Sequence, residues 1–446
     1  IISEESLKKS GSPEQAMVTC LGPTAVRGMK QKLVVHQMAS AAWWPIEFPP
    51  LRLGKVATHD AEGKPVERAD LNSEMEGVAY QLLARAQIER LSGRIDAARF
   101  ELRALQAVAD WLNDDDLVAD CLLEQACADF NSGRHEEGLA LVRDVLKITA
   151  ASDDATKHCR ALLEESVFLR CLRQFDEARR SADSALVLSW RTKDVRVTAR
   201  ARGSLAELDR MEGAVEQAES GMRAALEVLR EQGDQNEARA LTLNLGMLLV
   251  ERGDDESVSV LTKLVDEYEA LHMAMSAAAA RANLSLYYLD HNERKPFERL
   301  NDEAAAVFKH TGHSDHLAAL KLNSAYFELQ AGDLATAWSD LCFAGESFPI
   351  KFEQGLDLEG AILHAWLAFL RGERAKVQEG LKQLWQEAEL DESLLGPMVV
   401  QLVKLMTAVV SGDERATAAI ISKYEAPATV TFRVLWRVMV DYAQRP

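Results

Sequence analysis

The sequence predicts an all-α chain: a right-handed α-solenoid of about nine helix-turn-helix repeats behind a non-repeat N-terminal segment. Three observations carry this. The chain has 446 residues, beyond the roughly 250–300 at which one hydrophobic core stops growing, so several domains or a linear array is required. Ala, Leu, Glu and Arg dominate and only 11 prolines interrupt them, a balance that favours helix over sheet. A turn signal also recurs at a fixed period.

That signal is a Gly closing an apolar-periodic stretch, at Gly93, Gly133, Gly213, Gly253, Gly332, Gly372 and Gly412. The intervals are 40 residues or twice that, one of them short by a single residue. The gaps are filled at Arg173 in Leu172-Arg173-Gln174-Phe175 and at Asn292 in Asp290-His291-Asn292, giving nine registers. A chain reversing between two helices commonly passes through a left-handed residue, which Gly adopts without strain and Asn next most easily. Arg173 is the one departure.

Seven residues before the turns stand Ala86, Ala126, Ser166, Ala206, Gly246, Ser285, Ala325, Ala365 and Leu405. Five after them stand Ala98, Gly138, Ala178, Ala218, Val258, Phe297, Ala337, Val377 and Thr417. Small side chains at both places let the first helix of a pair, A, approach the second, B. Larger residues ten before the turn, such as Leu123, Leu243 and Ile362, fill the seam. Connectors such as Asn113-Asp114-Asp115-Asp116 and Gly233-Asp234-Gln235 supply helix-start residues for the next A helix.

These positions, and stretches such as Asn244-Leu245-Gly246 ahead of Gly253, resemble the tetratricopeptide repeat family over about residues 72–424. The 40-residue period resembles the kinesin light chain type, and also the sensor arrays of bacterial signal-transducing ATPases and maltose-activator-like regulators. The period does not choose among them. The resemblance implies stacked pairs that bury a continuous core and curve into a superhelix, with a concave wall of A helices as the binding surface.

The ends break the pattern. Residues 1–70 hold no turn in register and contain Trp43-Trp44-Pro45-Ile46-Glu47-Phe48-Pro49-Pro50, which cannot be regular helix. Helix is expected only before it, over residues 24–42, and a small hairpin after it, with residues 51–56 and 64–68 around Asp60-Ala61-Glu62-Gly63. This segment reads as a cap or as a linker from an upstream domain. The array occupies residues 71–426, and residues 427–446 form a last helix, either closing the array or unpaired. The chain starts at Ile1 rather than Met, as a processed chain or a piece of a larger protein would.

The net charge is −19. Residues 1–70 hold nine of the 51 basic and eight of the 70 acidic residues, so the acidity belongs to the helical part. Such a surface disfavours nucleic acid and anionic lipid and suits a protein or peptide partner with basic residues. Six cysteines without CxxC pairs read as reduced and packed. With no membrane-length apolar run and no signal-peptide order, a cytoplasmic address is expected.

Motifs for chemistry are missing from the sequence. There is no GxxxxGK[ST], no GxSxG and no GxGxxG between strand and helix. His135-Glu136 opens like a zinc-protease helix, but Leu139 stands where the second ligand belongs. His310, His313 and His316 with Asp315 would converge only on a helix, and Gly312 argues for a turn. His158-Cys159 has no further ligand in reach. The expectation is a non-enzyme without catalytic residue, metal or cofactor.

Nine residues before the turns the sequence reads Ala84, Glu124, Glu164, Ser204, Asn244, Asn283, Asn323, Leu363 and Val403. The family resemblance implies that Asn at this register points into the groove and holds the main chain of an extended peptide. An amide offers both a donor and an acceptor and so pairs with a peptide unit of any sequence. Asn244, Asn283 and Asn323 would hold backbone, with Met247, Leu286 and Tyr326 offering apolar contact. Glu124 and Glu164 extend the line toward a basic end of the ligand. The expected function is a protein-protein scaffold or adaptor; the alternative is the sensor module of a larger signalling or transcription-regulating protein.

Overall fold

The structure, a computed structural model, describes residues 2–3, 16–24, 33–40, 68–150, 155–172, 174–192, 194–271, 273–311, 313–347, 356–373, 377, 380–382, 392–427 and 429–445. Three strands come first: β1 (Ile2–Ser3), β2 (Ala16–Thr24) and β3 (Leu33–Ser40), in an antiparallel sheet of order β1-β3-β2. The β2–β3 register runs from Ala16 opposite Ser40 to Thr24 opposite Leu33, with an irregularity between Cys20 and Gly22. Of the helix expected over residues 24–42, residues 24 and 33–40 are strand instead, and the remainder lies outside the described residues. Val34-Val35 and Val18-Thr19 are β-branched pairs that favour strand, a local preference outweighing the lack of clean alternation. The hairpin expected over residues 51–68 lies outside the described residues up to the start of the first helix.

From there the described residues are helical apart from the turns between helices. The helices are α1 (Arg68–Leu91), α2 (Ile95–Leu112), α3 (Asp115–Phe130), α4 (His135–Ala150), α5 (Ala155–Cys171) and α6 (Phe175–Thr192). Then follow α7 (Val195–Met211), α8 (Val215–Glu231), α9 (Gln235–Arg252), α10 (Glu256–Ala270), α11 (Ala274–Asp290) and α12 (Arg294–Thr311). The series ends with α13 (Ser314–Ala331), α14 (Leu334–Ser347), α15 (Leu356–Leu370), α16 (Glu392–Ser411), α17 (Glu414–Lys423) and α18 (Val430–Ala443). Odd-numbered helices to α15, and α16, are A helices; even-numbered helices to α14, and α17, are B helices.

The turns fall where the period places them. Gly93, Gly133, Gly213, Gly253, Gly332, Gly372, Gly412 and Asn292 all have positive φ; Arg173 lies outside the described residues. At Gly253, φ is 70°, its N–H bonds Val250 O at 2.9 Å, and the next N–H bonds Leu249 O at 2.9 Å. Two otherwise unpaired carbonyls at the end of α9 are thereby satisfied. Asn113 and Gly233, between pairs, are left-handed as well.

All nine residues seven before the turns are buried. Gly246 shows why size matters there: a Cβ on it would stand 2.4 Å from Leu261 Cδ2. Five after the turns the positions are buried too, except that Ser257 is buried where Val258 was expected. The stretch from turn to buried position is one residue shorter here, the residue by which the interval from Gly253 to Asn292 falls short of 40, and Ser257 and Val258 N–H bond Asp254 and Asp255 O in a tight first turn.

Contacts divide the chain into two units. Unit 1 comprises Ile1–Cys171, Asp176–Ala201 and Asp266–Met275; unit 2 comprises Leu172–Phe175, Arg202–Val265 and Ser276–Pro446. In unit 1, α1 packs on α2, α3 on α4 and α4 on α5. One core cluster joins Leu82 and Ala86 to Leu102, Leu105 and Cys121 across α1, α2 and α3. In unit 2, α8 packs on α9, α13 on α12 and α14, and α16 on α17.

Candidate functional site on the A-helix wall

In unit 2 the three asparagines sit at one register of successive A helices: Asn244 on α9, Asn283 on α11 and Asn323 on α13. All three are half-buried. None has a side-chain hydrogen bond among the described residues. By contrast Asn301 on α12 donates to Leu320 O and Ser324 Oγ at 3.3 and 2.9 Å, as an amide locked between helices does. Met247 and Leu286 are half-buried as well. Tyr326 is 0% exposed and offers no contact surface, so it leaves the set of candidate ligand contacts.

In unit 1 the same register carries carboxylates, which are not free. Glu124, 3% exposed, accepts from Gln87 Nε2 at 3.0 Å, Arg90 Nε at 3.2 Å and Arg160 Nη2 at 3.2 Å, tying α1, α3 and α5 together. Burial pushes its carboxyl up, but Arg90 and Arg160 outweigh that and hold it below the ordinary 4.5. Both arginines are half-buried, which lowers them, yet they stand above their ordinary value because Glu124 and Glu164 face them. With two guanidiniums on two carboxylates the cluster neutralises itself. Glu124 therefore holds the repeats together and has no carboxylate to spare for a ligand's basic end.

The histidines are accounted for by packing. His135 lies 5.5 Å from Phe130 and 6.3 Å from Phe168, ring centroid to centroid. His158 Nδ1 shares a 2.7 Å hydrogen bond with Thr149 Oγ1, and burial lowers its pKa. His313 precedes α13 and shares a 2.9 Å hydrogen bond with Thr311, its ring 5.7 Å from that of His316. Among the described residues no three His, Cys, Asp or Glu side chains form a metal-holding group, and no helix is long and apolar enough to cross a membrane.

The sequence did not disclose what the last helix does. Arg433 on α18 donates Nε and Nη2 to the Asp290 carboxylate at 3.1 and 2.7 Å, and Nη1 to Glu251 O at 2.6 Å. Arg437 donates to Asp290 O at 2.9 Å and lies 3.0 Å from its carboxylate. The last carbonyls of α9 and α11 lack intrahelical donors and carry the negative end of the helix dipole, so a guanidinium is favoured there. Two arginines one turn apart on an otherwise apolar helix are the signal that could have revealed it.

Neither a protein-family model nor a curated protein sequence matches the chain. Solved structures do. A Rap protein complexed with Competence and Sporulation Factor is similar at TM-score 0.57 and 14% identity, over 74% of this chain and 89% of that one. A signal transduction ATPase with a tetratricopeptide repeat sensor from Pyrococcus horikoshii is similar at TM-score 0.46 and 14% identity, over 71% of this chain and 51% of that one. Identities this low speak to the fold. The chain has the fold of the tetratricopeptide-type helix-pair arrays.

Proposed function

We propose that this chain is a non-catalytic interaction module whose A-helix wall in unit 2 captures an extended segment of a protein partner. The observation that carries the reading is the trio Asn244, Asn283 and Asn323, half-buried at one register without side-chain partners among the described residues. An unpaired amide on a packed wall pairs with a peptide unit at little ordering cost, since its helix is already fixed. Met247 and Leu286 supply apolar contact beside them. The acidity of the helical part favours a partner with basic residues, acting through the general field rather than through Glu124.

A second reading, a ligand-controlled regulatory module, is supported by the likeness to the Rap protein solved with Competence and Sporulation Factor. It uses the same wall and differs in what the capture controls.

The test begins with peptides selected from a displayed random library on the full chain. Replacing Asn244, Asn283 and Asn323 together by Ala should weaken the selected peptides about 30-fold or more, as the loss of three hydrogen bonds of about 0.7 kcal/mol each requires. Helicity by circular dichroism should not change. Unchanged affinity sinks the proposal.

A further inference from the structure

Helix α18 is enclosed as no surface helix is. Val430, Thr431, Phe432, Val434, Leu435, Trp436 and Met439 are buried. At 100° per residue they cover about 240° of the circumference, against a stripe of roughly 100° on a helix that faces water. The remaining sector holds Arg433 and Arg437, both spent on Asp290. The helices it packs on include the A helices α13, α15 and α16. Tyr442 meets Trp366 and Phe369 on α15 at centroid distances of 5.6 and 5.3 Å.

The wall beneath is shaped accordingly. On α13, α15 and α16 the residues nine and six before the turns are Asn323, half-buried, and Tyr326, Leu363, Trp366, Val403 and Met406, all buried. Met247 and Leu286, six before the turns on α9 and α11, are only half-buried. At this register unit 2 thus carries half-buried amides on α9, α11 and α13 and buried apolar residues on α15 and α16, and α18 packs on α13, α15 and α16.

We infer that α18 is an internal ligand of the A-helix wall. The external partner that this part of the wall accepts is a helix of the same pattern, apolar around most of its circumference with two arginines one turn apart. The first arginine takes Asp290 and the carbonyl end of α9; the second takes the end of α11. An emptied wall would expose Trp366 to water, so α18 leaves only in exchange for such a helix. The inference rests on the protein-capture reading but not on the asparagines, and loss of peptide binding in the Asn variant would leave it standing.

The probe is a fluorescein-labelled synthetic peptide of residues 429–446, titrated by anisotropy into full-length chains. The intact chain holds its own copy at an effective concentration near millimolar and should bind the probe weakly. A chain carrying Arg433→Ala and Arg437→Ala, whose own helix is loosened, should bind it at least about 100-fold more tightly. A probe with both arginines replaced by Ala should bind that chain at least about 100-fold more weakly than the native probe, since it loses the same contacts whose loss loosens the chain's own helix. Equal binding to both chains, no binding to the variant, or indifference to the probe's arginines would overturn the inference. Hydrogen exchange on the unaltered chain guards against misfolding of the variant: residues 430–443 should exchange before α16, and exchange in step with α16 would mean α18 is fixed core.

Discussion

Arg433 grips both carboxylate oxygens of Asp290, at 3.1 and 2.7 Å, joining residues 143 apart in the chain. Asp290 is the last residue of α11 and 8% exposed, a site where the helix dipole disfavours a carboxylate. The two arginines of α18 reverse that penalty. Arg433→Met keeps much of the stem volume and leaves Arg437 on Asp290, so it should cost about 1–3 kcal/mol rather than the 3–5 of a fully orphaned buried charge. Urea unfolding followed by circular dichroism measures it, and a change below about 0.5 kcal/mol would remove Arg433 as the anchor.

Glu124 gives a pH prediction. Its folded pKa lies below the ordinary 4.5, so its stabilising contribution is complete above that pH and is lost as pH falls through the folded value. Glu124→Gln should therefore destabilise the chain at pH 7, by about 3 kcal/mol from two arginines left without their carboxylate. Below pH 4 the difference from the unaltered chain should shrink. A difference that stays constant from pH 7 to 3 would show that the carboxylate charge is not what matters.

Two glycines separate backbone strain from crowding. Gly253→Ala meets only an ordinary contact, Asp290 Oδ2 at 3.8 Å, but must hold φ at +70° and should cost about 1–2 kcal/mol. Gly246→Ala has regular helical backbone but drives a methyl into Leu261 and should cost about 1–3 kcal/mol. Adding Leu261→Ala to the second should recover part of its cost and leave the first additive, which a double-mutant cycle by urea unfolding resolves.

Thiol reactivity should sort by burial. Burial pushes Cys121 and Cys127 up to about 12 and Cys159 to about 11, which keeps them protonated, whereas Cys342 is exposed. Iodoacetamide at pH 8 with peptide mapping should label Cys342 at least about tenfold faster than those three.

What was legible in the sequence was what the chain decides locally. The turn glycines and Asn292 were readable because left-handed backbone restricts residue type, and the small residues because two helices cannot approach around a large one. Residues 33–40 misled because Val34 and Val35 compete with a weak helical pattern. Val258 was one position off because this turn is one residue shorter than the others, which is where the interval from Gly253 to Asn292 falls short of 40. Two features lay beyond reach for a different reason. Glu124 looked like a free carboxylate because Arg90 and Arg160 stand 34 and 36 residues away on other A helices. The last helix could be read as closing the array or as unpaired because its partners Glu251 and Asp290 lie 182 and 143 residues upstream. Periodicity reports that a wall exists; it does not report which of its side chains are already taken.

The central claim is that the A-helix wall holds a ligand by its main chain. The most direct measurement pairs a library-selected peptide with versions N-methylated at single backbone amides, each titrated into the unaltered chain and into the Asn283→Ala chain. One N-methylation should cost about tenfold on the unaltered chain and nearly nothing on the variant, the signature of a hydrogen bond between that amide and Asn283. N-methylation costs that are the same on both chains at every position would contradict the account.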